Sequence, residues 1–356
     1  MTLILYHTTH PRYHIPGKDV ILKTEENLPL MQRRKSNLIR LFALLAVFLP
    51  VVSCGSGASA ESPPPETRQT APQEIVWELP DKDGSRDNTP LCLVPSMDGT
   101  VVLKNELAEI DCSNAAEGYI FARYLGENPK VKLLIQVEGG KQYYYDLPSD
   151  GTPEVFPLSV GDDLYEISVF ENISETQYSL AFSDTLEVKL NDPYKPFLYP
   201  NQYVRFDKDS EAVKEAAVLA RPADEDLDVV SNVYNYVIQN ISYDMEEAET
   251  VESGYLPDPD EVLATGKGIC LDYSALMCAM LRSQQIPARM EIGYAGTAYH
   301  AWLSVYINGI GWINGIIEFD GKDWSLMDPT FAASNGDDFL EDFIGDGDNY
   351  SLKFIY

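Results

Sequence analysis

Basic residues are scarce in this sequence. Its 356 residues include 26 Lys and Arg against 56 Asp and Glu, which gives a formal net charge of −30 at pH 7. A surface of that sign repels the phosphates of nucleic acid and disfavours docking on anionic lipid through protein side chains. The composition therefore predicts no nucleic-acid partner. It would attract a cationic peptide, although charge alone establishes no such substrate.

Histidine is rarer still, with four residues in the whole chain. Three of them, His7, His10 and His14, lie within residues 1–30. The fourth, His300, follows the segment that we interpret below as a signal peptide. A histidine base in the mature protein must therefore be His300 or none.

The apolar run at residues 41–49 is too short for a stable membrane span. Basic residues precede it and Ser53-Cys54 follows it, which is the arrangement of a secretory signal. A small residue before a cysteine that Gly55 follows resembles a bacterial lipobox. The resemblance implies cleavage before Cys54 and lipid attachment to its sulfur, so the protein would be extracytoplasmic and anchored to the bacterial cell membrane without spanning it. The alternative is an ordinary secretion signal with an incidental cysteine.

This signal sets the first domain boundaries. Residues 1–30 precede the signal peptide at 31–54 and show no periodicity, so we predict that they are a non-native extension and that Met31 is the true start. Residues 55–90 are rich in Gly, Ser, Pro, Glu and Thr, which predicts a disordered linker.

Residues 91–192 contain short segments of β-forming residues, such as 131–137, separated by turn signals such as Gly139-Gly140. This spacing predicts an all-β, antiparallel sandwich of immunoglobulin-like type. It contains no evident catalytic cluster. Cys92 and Cys112 lie in it, and the sequence fits either a disulfide between them or two free thiols.

A proline-punctuated hinge at 191–200 leads into two predicted helices, at 210–219 and 224–241. Further on, a glycine-rich turn ends at Cys270, and apolar residues then recur at helical spacing. Cys270 is therefore expected in the first turn of a helix, where backbone N–H groups favour a thiolate; the alternative is a buried structural cysteine. Cys278 shares the apolar stripe and is expected to be a small buried hydrophobe, not a resolving thiol.

Two later segments contain the other candidate catalytic residues. Residues 299–307 alternate in polarity and predict a strand with His300 at its start. Residues 324–328 predict another short strand, and Pro329 ends it with Asp328 at its tip. A cysteine, a histidine and an aspartate in this order form a set of nucleophile, base and orienting carboxylate.

The segments Gly-Ile-Cys-Leu-Asp-Tyr-Ser, Tyr-His-Ala-Trp and Met-Asp-Pro-Thr resemble the transglutaminase-like superfamily over residues 200–335. The resemblance implies an α+β chain with a cysteine-proteinase-like domain at 200–356 and Cys270, His300 and Asp328 as its catalytic triad. In the loop before the cysteine, Tyr255 would contribute to an oxyanion hole or be a packed aromatic. No cofactor or metal is implied, and the acidic tail lacks the complete spacing of an EF-hand loop.

The implied chemistry is acyl transfer at a peptide or carboxamide bond through a thioester. Water as acceptor makes the protein a cysteine peptidase or amidase, and a lysine-like amine makes it a cross-linking transglutaminase. We favour hydrolysis, because the sequence indicates no site for an amine substrate and a bacterial surface offers protein and cell-wall peptides. The alternatives are a non-enzymatic adhesion or assembly module, and a chain whose β-sandwich is the functional part.

Overall fold

The computed structural model describes residues 12–15, 18–21, 77–295, 298–313, 317–319, 324–326 and 350–356. The chain divides into one compact unit of residues 1–30 and 79–356 and another of residues 31–78. The predicted signal peptide with Cys54, and residues 55–76 of the predicted linker, lie outside the described residues. The domain boundaries stay predictions, and the segments 91–192 and 200–356 belong to the same compact unit.

Ten strands are described before the first α-helix. Their bounds are β1 Arg12–Ile15, β2 Lys18–Ile21, β3 Val102–Lys104, β4 Ala108–Asp111, β5 Tyr119–Tyr124, β6 Val131–Val137, β7 Gln142–Leu147, β8 Glu154–Pro157, β9 Asp163–Ser174 and β10 Gln177–Val188. They form a four-stranded antiparallel sheet in the order β3-β4-β5-β8 and a six-stranded sheet in the order β2-β1-β10-β9-β6-β7. In the larger sheet β1 runs parallel to β10, and the other neighbours run antiparallel.

Strand β6, predicted with the bounds that the structure has, buries apolar side chains on both faces. Leu133 and Ile135 are buried on one face. Leu134 points to the opposite face, because successive side chains of a strand alternate, and it packs there with Phe170 and Tyr178. Strand β6 pairs with β9 on one edge and β7 on the other, so it is an inner strand of its sheet.

The immunoglobulin-like topology is not confirmed. In that fold a sheet of strands A, B, E and D faces a sheet of strands C, F and G. Here three consecutive strands, β3 to β5, lie side by side with β8, because the chain turns back twice before it leaves the first sheet. The sheets meet through aromatic side chains such as Tyr145 and Phe156, whose ring centroids lie 4.8 Å apart.

The structure corrects the prediction of disorder for the last part of the 55–90 linker. The backbone N–H of Gly84 donates to the carbonyl of Arg221 at 2.8 Å. Arg86 pairs with Asp226 at 2.7 Å and also donates to the carbonyl of Gln284 at 2.6 Å. Polar contacts hold this segment in place, so its composition gave no sign of order. Similarly, β1 and β2 add to a sheet edge through their main chains, which needs no apolar periodicity.

The C-terminal half is mixed in secondary structure, which confirms the α+β class. Its helices are α1 Glu211–Ala220, α2 Asp226–Asn240, α3 Met245–Thr250, α4 Pro259–Thr265 and α5 Cys270–Ser283. Its strands are β11 Ser242–Tyr243, β12 Lys267–Gly268, β13 Ala288–Ala295, β14 Ala298–Ile307, β15 Gly311–Ile313, β16 Ile317–Phe319, β17 Trp324–Leu326 and β18 Tyr350–Ile355. The helices predicted at 210–219 and 224–241 are α1 and α2, while α3, α4 and β18 were not predicted.

Helix α5 lies at the centre of this half. It contacts α1, α2 and α4, and also the two middle strands of the sheet β15-β14-β13-β18. Apart from Leu271, all of its residues are buried, as expected for a helix covered on every side. The helix can therefore hold its N-terminal residue in a fixed position relative to the sheet.

Candidate active site

Cys270 is the first residue of α5, as the sequence predicted. Helix α4 ends just before it, where Gly266 takes a left-handed conformation with φ of 64°. Ile269 then precedes the cysteine in an extended conformation as the N-cap of α5. Cys270 is 8% exposed, so a small part of this residue at the N-terminus of α5 is accessible to solvent.

Asp272 holds the first turn of α5. Its Oδ2 accepts a hydrogen bond from the backbone N–H of Ile269 at 2.8 Å, and its Oδ1 accepts one from the hydroxyl of Tyr255 at 2.8 Å. The residue is 1% exposed, and this burial raises the pKa of its carboxyl to about 6. The two hydrogen bonds lower that pKa, and the charges of Glu247 and Glu261 raise it. The first turn therefore depends on a buried carboxyl that titrates near neutral pH.

Gly268 makes room for this carboxyl. A Cβ at that position would lie 2.6 Å from the Cβ of Asp272, which is closer than side chains approach each other. Glycine is thus required at these two positions for different reasons. Gly266 has a positive φ, and Gly268 lies too close to Asp272 for a side chain.

Tyr255 lies beside the first turn of α5. Its hydroxyl donates its proton to Asp272, and burial together with this carboxylate raises the pKa of the phenol. The hydroxyl is therefore engaged by carboxylates, with Asp272 in the first turn of α5 as its 2.8 Å acceptor. Tyr255 supports the turn that carries Cys270.

His300 is the third residue of β14, near the start of the strand as predicted, and it is 6% exposed. A short turn, 284–287, joins α5 to β13, so the strand runs back along the helix. Cys270 lies about 20 Å along α5 from its C-terminal end at 1.5 Å per residue. Gly293 pairs with His300 across the sheet, and it lies about 17 Å along β13 from its start at roughly 3.3 Å per residue. Cys270 and His300 therefore lie at the same end of the helix–sheet pair.

A buried polar cluster beside His300 escaped the sequence analysis. Trp302 Nε1 donates to Glu291 Oε2 at 2.6 Å, and Arg289 Nε lies 2.6 Å from Glu291 Oε1. The rings of Trp302 and His300 are inclined by 25°, with centroids 6.3 Å apart. Two charged residues, Arg289 and Glu291, at alternate positions of an otherwise apolar strand were the signal that could have revealed it.

Two of the predicted site residues are not among those that the structure describes. Asp328 lies between β17 and β18, in residues 327–349, and Cys54 lies in residues 22–76. The strand predicted before Asp328 is present as β17, which pairs with β16. The acidic tail that follows is also outside the described residues. Cys270 and His300 thus have the places in α5 and β14 that the sequence predicts, and the catalytic triad with Asp328 remains a prediction.

The other cysteines of the described region are free thiols. Cys278 is fully buried, which confirms the prediction of a small buried residue, and burial raises its pKa to about 12. Cys92 and Cys112 are not paired with each other, and burial also raises the pKa of Cys112 to about 12. Cys270 differs from Cys278 and Cys112 by its place at a helix N-terminus.

Within residues 77–313 and the short described segments beyond them, no three His, Cys, Asp or Glu side chains converge on a position that could hold a metal ion. In the same part of the chain, no helix combines the length and the apolar character that crossing a bilayer requires.

Comparisons with known proteins identify a family for part of the chain. The model of the transglutaminase-like superfamily matches residues 214–315. A curated relative, UPF0252 protein MJ1282 of Methanocaldococcus jannaschii, is 30% identical over 174 residues, which cover 42% of this chain and 49% of the relative. The chain thus spans about half the length of this curated relative.

Two solved structures are also similar to this chain. One, from Cytophaga hutchinsonii, is described provisionally as a cysteine protease; it is 15% identical over 72% of this chain and 74% of its own, with a TM-score of 0.35. Red sea bream transglutaminase is 12% identical over 60% of this chain and 48% of its own, with a TM-score of 0.26. The segment 214–315, which carries Cys270 and His300, is a transglutaminase-like domain.

Proposed function

We propose that this chain is a thiol enzyme that transfers acyl groups from peptide or carboxamide bonds through a thioester. The observation that carries the proposal is the placement of Cys270 at the N-terminus of α5 and of His300 at the same end of the adjoining sheet. A nucleophile and a base on two packed elements are the minimum for this chemistry. A pure scaffold needs neither residue.

In the proposed reaction the sulfur of Cys270 attacks the carbonyl carbon, and His300 takes up the thiol proton. The tetrahedral intermediate collapses, the C–N bond breaks, and His300 returns the proton to the leaving amine. Asp328 would orient the imidazole and stabilise its charged form. Water, deprotonated by His300, then attacks the thioester and releases the acid together with the free thiol.

An amine in place of water would give a new amide and make the protein a cross-linking enzyme. We favour water, because the sequence indicates no second site for an amine. The proposed substrates are proteins or cell-wall peptides at a bacterial surface, where lipid on Cys54 would hold the enzyme. Metabolic labelling with a radioactive fatty acid tests the anchor: the full chain should be labelled and a Cys54→Ser variant should not.

Site-resolved alkylation tests the chemistry. Iodoacetamide at mildly acidic pH should modify Cys270 faster than the buried Cys278, and a His300→Ala variant should lose that advantage. Equal, slow modification of both thiols in the wild type would refute the enzyme and favour a non-enzymatic surface module.

A library of peptide and carboxamide substrates, used with and without a primary amine, then identifies the acceptor. Hydrolysed product in the presence of the amine supports a peptidase or amidase. An amine adduct assigns the protein to the cross-linking enzymes instead. The matched control for both assays is a Cys270→Ser variant, which should form neither product.

A further inference from the structure

The cluster beside His300 is more than core packing. Residues that pair across β13 and β14 share a face of the sheet, and so do residues two apart on one strand. Glu291 pairs with Trp302 and Gly293 pairs with His300. Glu291, Trp302 and His300 therefore project from the same face, with Trp302 between the carboxylate and the imidazole along the sheet.

The contacts within this face form a continuous series. The guanidinium of Arg289 lies 4.2 Å from the ring centroid of Trp312 and pairs with Glu291. Glu291 accepts the indole proton of Trp302, and the indole lies beside the imidazole of His300. Each of these contacts restricts the next residue. The orientation of the Trp302 indole therefore depends on the ion pair between Glu291 and Arg289.

Gly293 completes the arrangement. A Cβ there would lie 2.9 Å from Cη2 of Trp302, so the indole extends over the glycine that pairs with His300. The space beside the imidazole is thus filled by a ring whose only polar atom is bound to Glu291. A tryptophan that merely filled the core would not need a buried carboxylate, which is costly to desolvate.

Other charged groups also sense Glu291. On the β6–β7 turn, burial lowers the pKa of Lys141 and Glu291 raises it. On α5, burial raises the pKa of Cys278, with a smaller contribution from Glu291. Arg289 pairs with Glu291, the charge of Lys353 also acts on Lys141, and the charge of Arg282 also acts on Cys278.

We propose that Glu291 is a positioning residue for His300: held by Arg289, it fixes the Trp302 indole against the imidazole and so sets the direction in which His300 faces Cys270. The proposal rests on the thiol chemistry proposed above. It adds an acidic residue that acts on the base through an aromatic ring.

The test uses full-length protein and the variants Glu291→Gln, Trp302→Phe and their combination. Glu291→Gln keeps an acceptor but removes the charge, and Trp302→Phe keeps a ring but removes the donor. Each should slow the alkylation of Cys270 about tenfold or more, because small misplacements of a base are expensive. The double variant should be no slower than the slower single variant, since both changes break the same link. If the rate reductions of the two single variants multiply in the double variant, Glu291 and Trp302 act independently, and the proposed link through Trp302 is wrong.

A second readout separates positioning from loosened packing. The pH titration of the His300 ring, followed by NMR and assigned with His300→Ala, should move to lower pH in Glu291→Gln, because a nearby negative charge is lost. Trp302→Phe keeps the charges of Arg289 and Glu291 and should shift the His300 titration less. A wild-type titration and rate in Glu291→Gln would overturn the proposal. Should that variant not fold, Glu291→Asp, which keeps the charge on a shorter side chain, must show a reduced rate.

Ser304→Ala is the matched control, because Ser304 is fully buried on the same face but beyond Trp302. It should keep the wild-type rate and titration, and a tenfold loss there would show that any change to this face has the same effect. If Cys270 in the wild type reacts no faster than Cys278, the proposed enzyme fails, yet the His300 titration still decides whether Glu291 acts on the imidazole.

Discussion

The hydroxyl of Tyr255 donates a hydrogen bond of 2.8 Å to Asp272, a residue in the same helical turn as Cys270. Asp272 in turn accepts the backbone N–H of Ile269, the residue that immediately precedes the cysteine. The loop before α5 is therefore tied to the helix by a phenol and a carboxylate. The position of the sulfur follows from this tie and from the burial of α5.

Replacing Tyr255 by Phe should lower the free energy of unfolding by about 2 kcal/mol, because a buried carboxylate loses one of its two donors. Urea unfolding at pH 7 measures the change. Tyr236→Phe is the control, since the hydroxyl of Tyr236 makes no side-chain hydrogen bond within the described residues. Equal losses in the two variants would contradict a specific role for the Tyr255–Asp272 bond.

Asp272 should make stability fall as pH rises between about 4 and 6. Burial raises its pKa from 3.8 to about 6, so within this range the folded protein binds the proton more tightly than the unfolded chain. The cost of ionising it in the fold reaches roughly 3 kcal/mol by pH 7.

Comparing wild type with Asp272→Asn isolates the contribution of Asp272 to the pH dependence of stability. The contributions of the other carboxyl groups are the same in both proteins and cancel. The free energy of unfolding of the variant, relative to wild type, should increase by roughly 2.4 kcal/mol from pH 4 to pH 7. A difference that is constant over this range would show that Asp272 titrates normally.

The sequence was sufficient for those features that local patterns encode. Glycines followed by an apolar helical stripe placed Cys270 at the start of α5, and alternation placed His300 near the start of β14. Both signals lie within about ten residues of the site that they identify, so neither required knowledge of the tertiary fold.

Features that depend on distant partners were not predictable. The partner of Asp272 is Tyr255, across a loop and a helix, and Glu291 is explained only by its neighbour across the sheet, Trp302. Strand β18 was not predicted, because it directly follows a segment rich in carboxylates. It also pairs with β13, which lies far away in the chain. The immunoglobulin-like topology is not confirmed for a similar reason, since strand spacing does not determine strand order.

Gly293→Ala should disturb both the sheet and the site. A Cβ there would lie 2.1 Å from the carbonyl oxygen of Ser351 and 2.9 Å from Trp302, so β18 and the indole must both move. We expect a loss of roughly 2 to 3 kcal/mol in unfolding free energy, typical of overpacking, with a changed near-UV circular dichroism spectrum. Gly309→Ala, at a turn with φ of 82° and open space around it, should cost about 1 kcal/mol and leave the spectrum unchanged.

Arg282, at the far end of α5, should contribute more to stability than the surface arginines. It is fully buried and donates to the carbonyls of Tyr199, Ala288 and Tyr356 at 2.7, 2.8 and 2.9 Å. It therefore joins the segment before α1, the start of β13 and the residue after β18. Burial lowers its pKa to about 10, which still leaves it charged at neutral pH.

Arg282→Met should lower the free energy of unfolding by at least about 3 kcal/mol, because three buried carbonyls lose their donor together. Arg282→Lys should recover only part of this loss, since a single ammonium lacks the planar fork that reaches all three. Arg205→Met, which removes a half-exposed partner of Glu154 at 3.5 Å, should cost less than about 1 kcal/mol. Chemical denaturation of the three variants measures the order, and a lysine variant as stable as wild type would mean that charge alone, not the three-way bonding, holds these segments together.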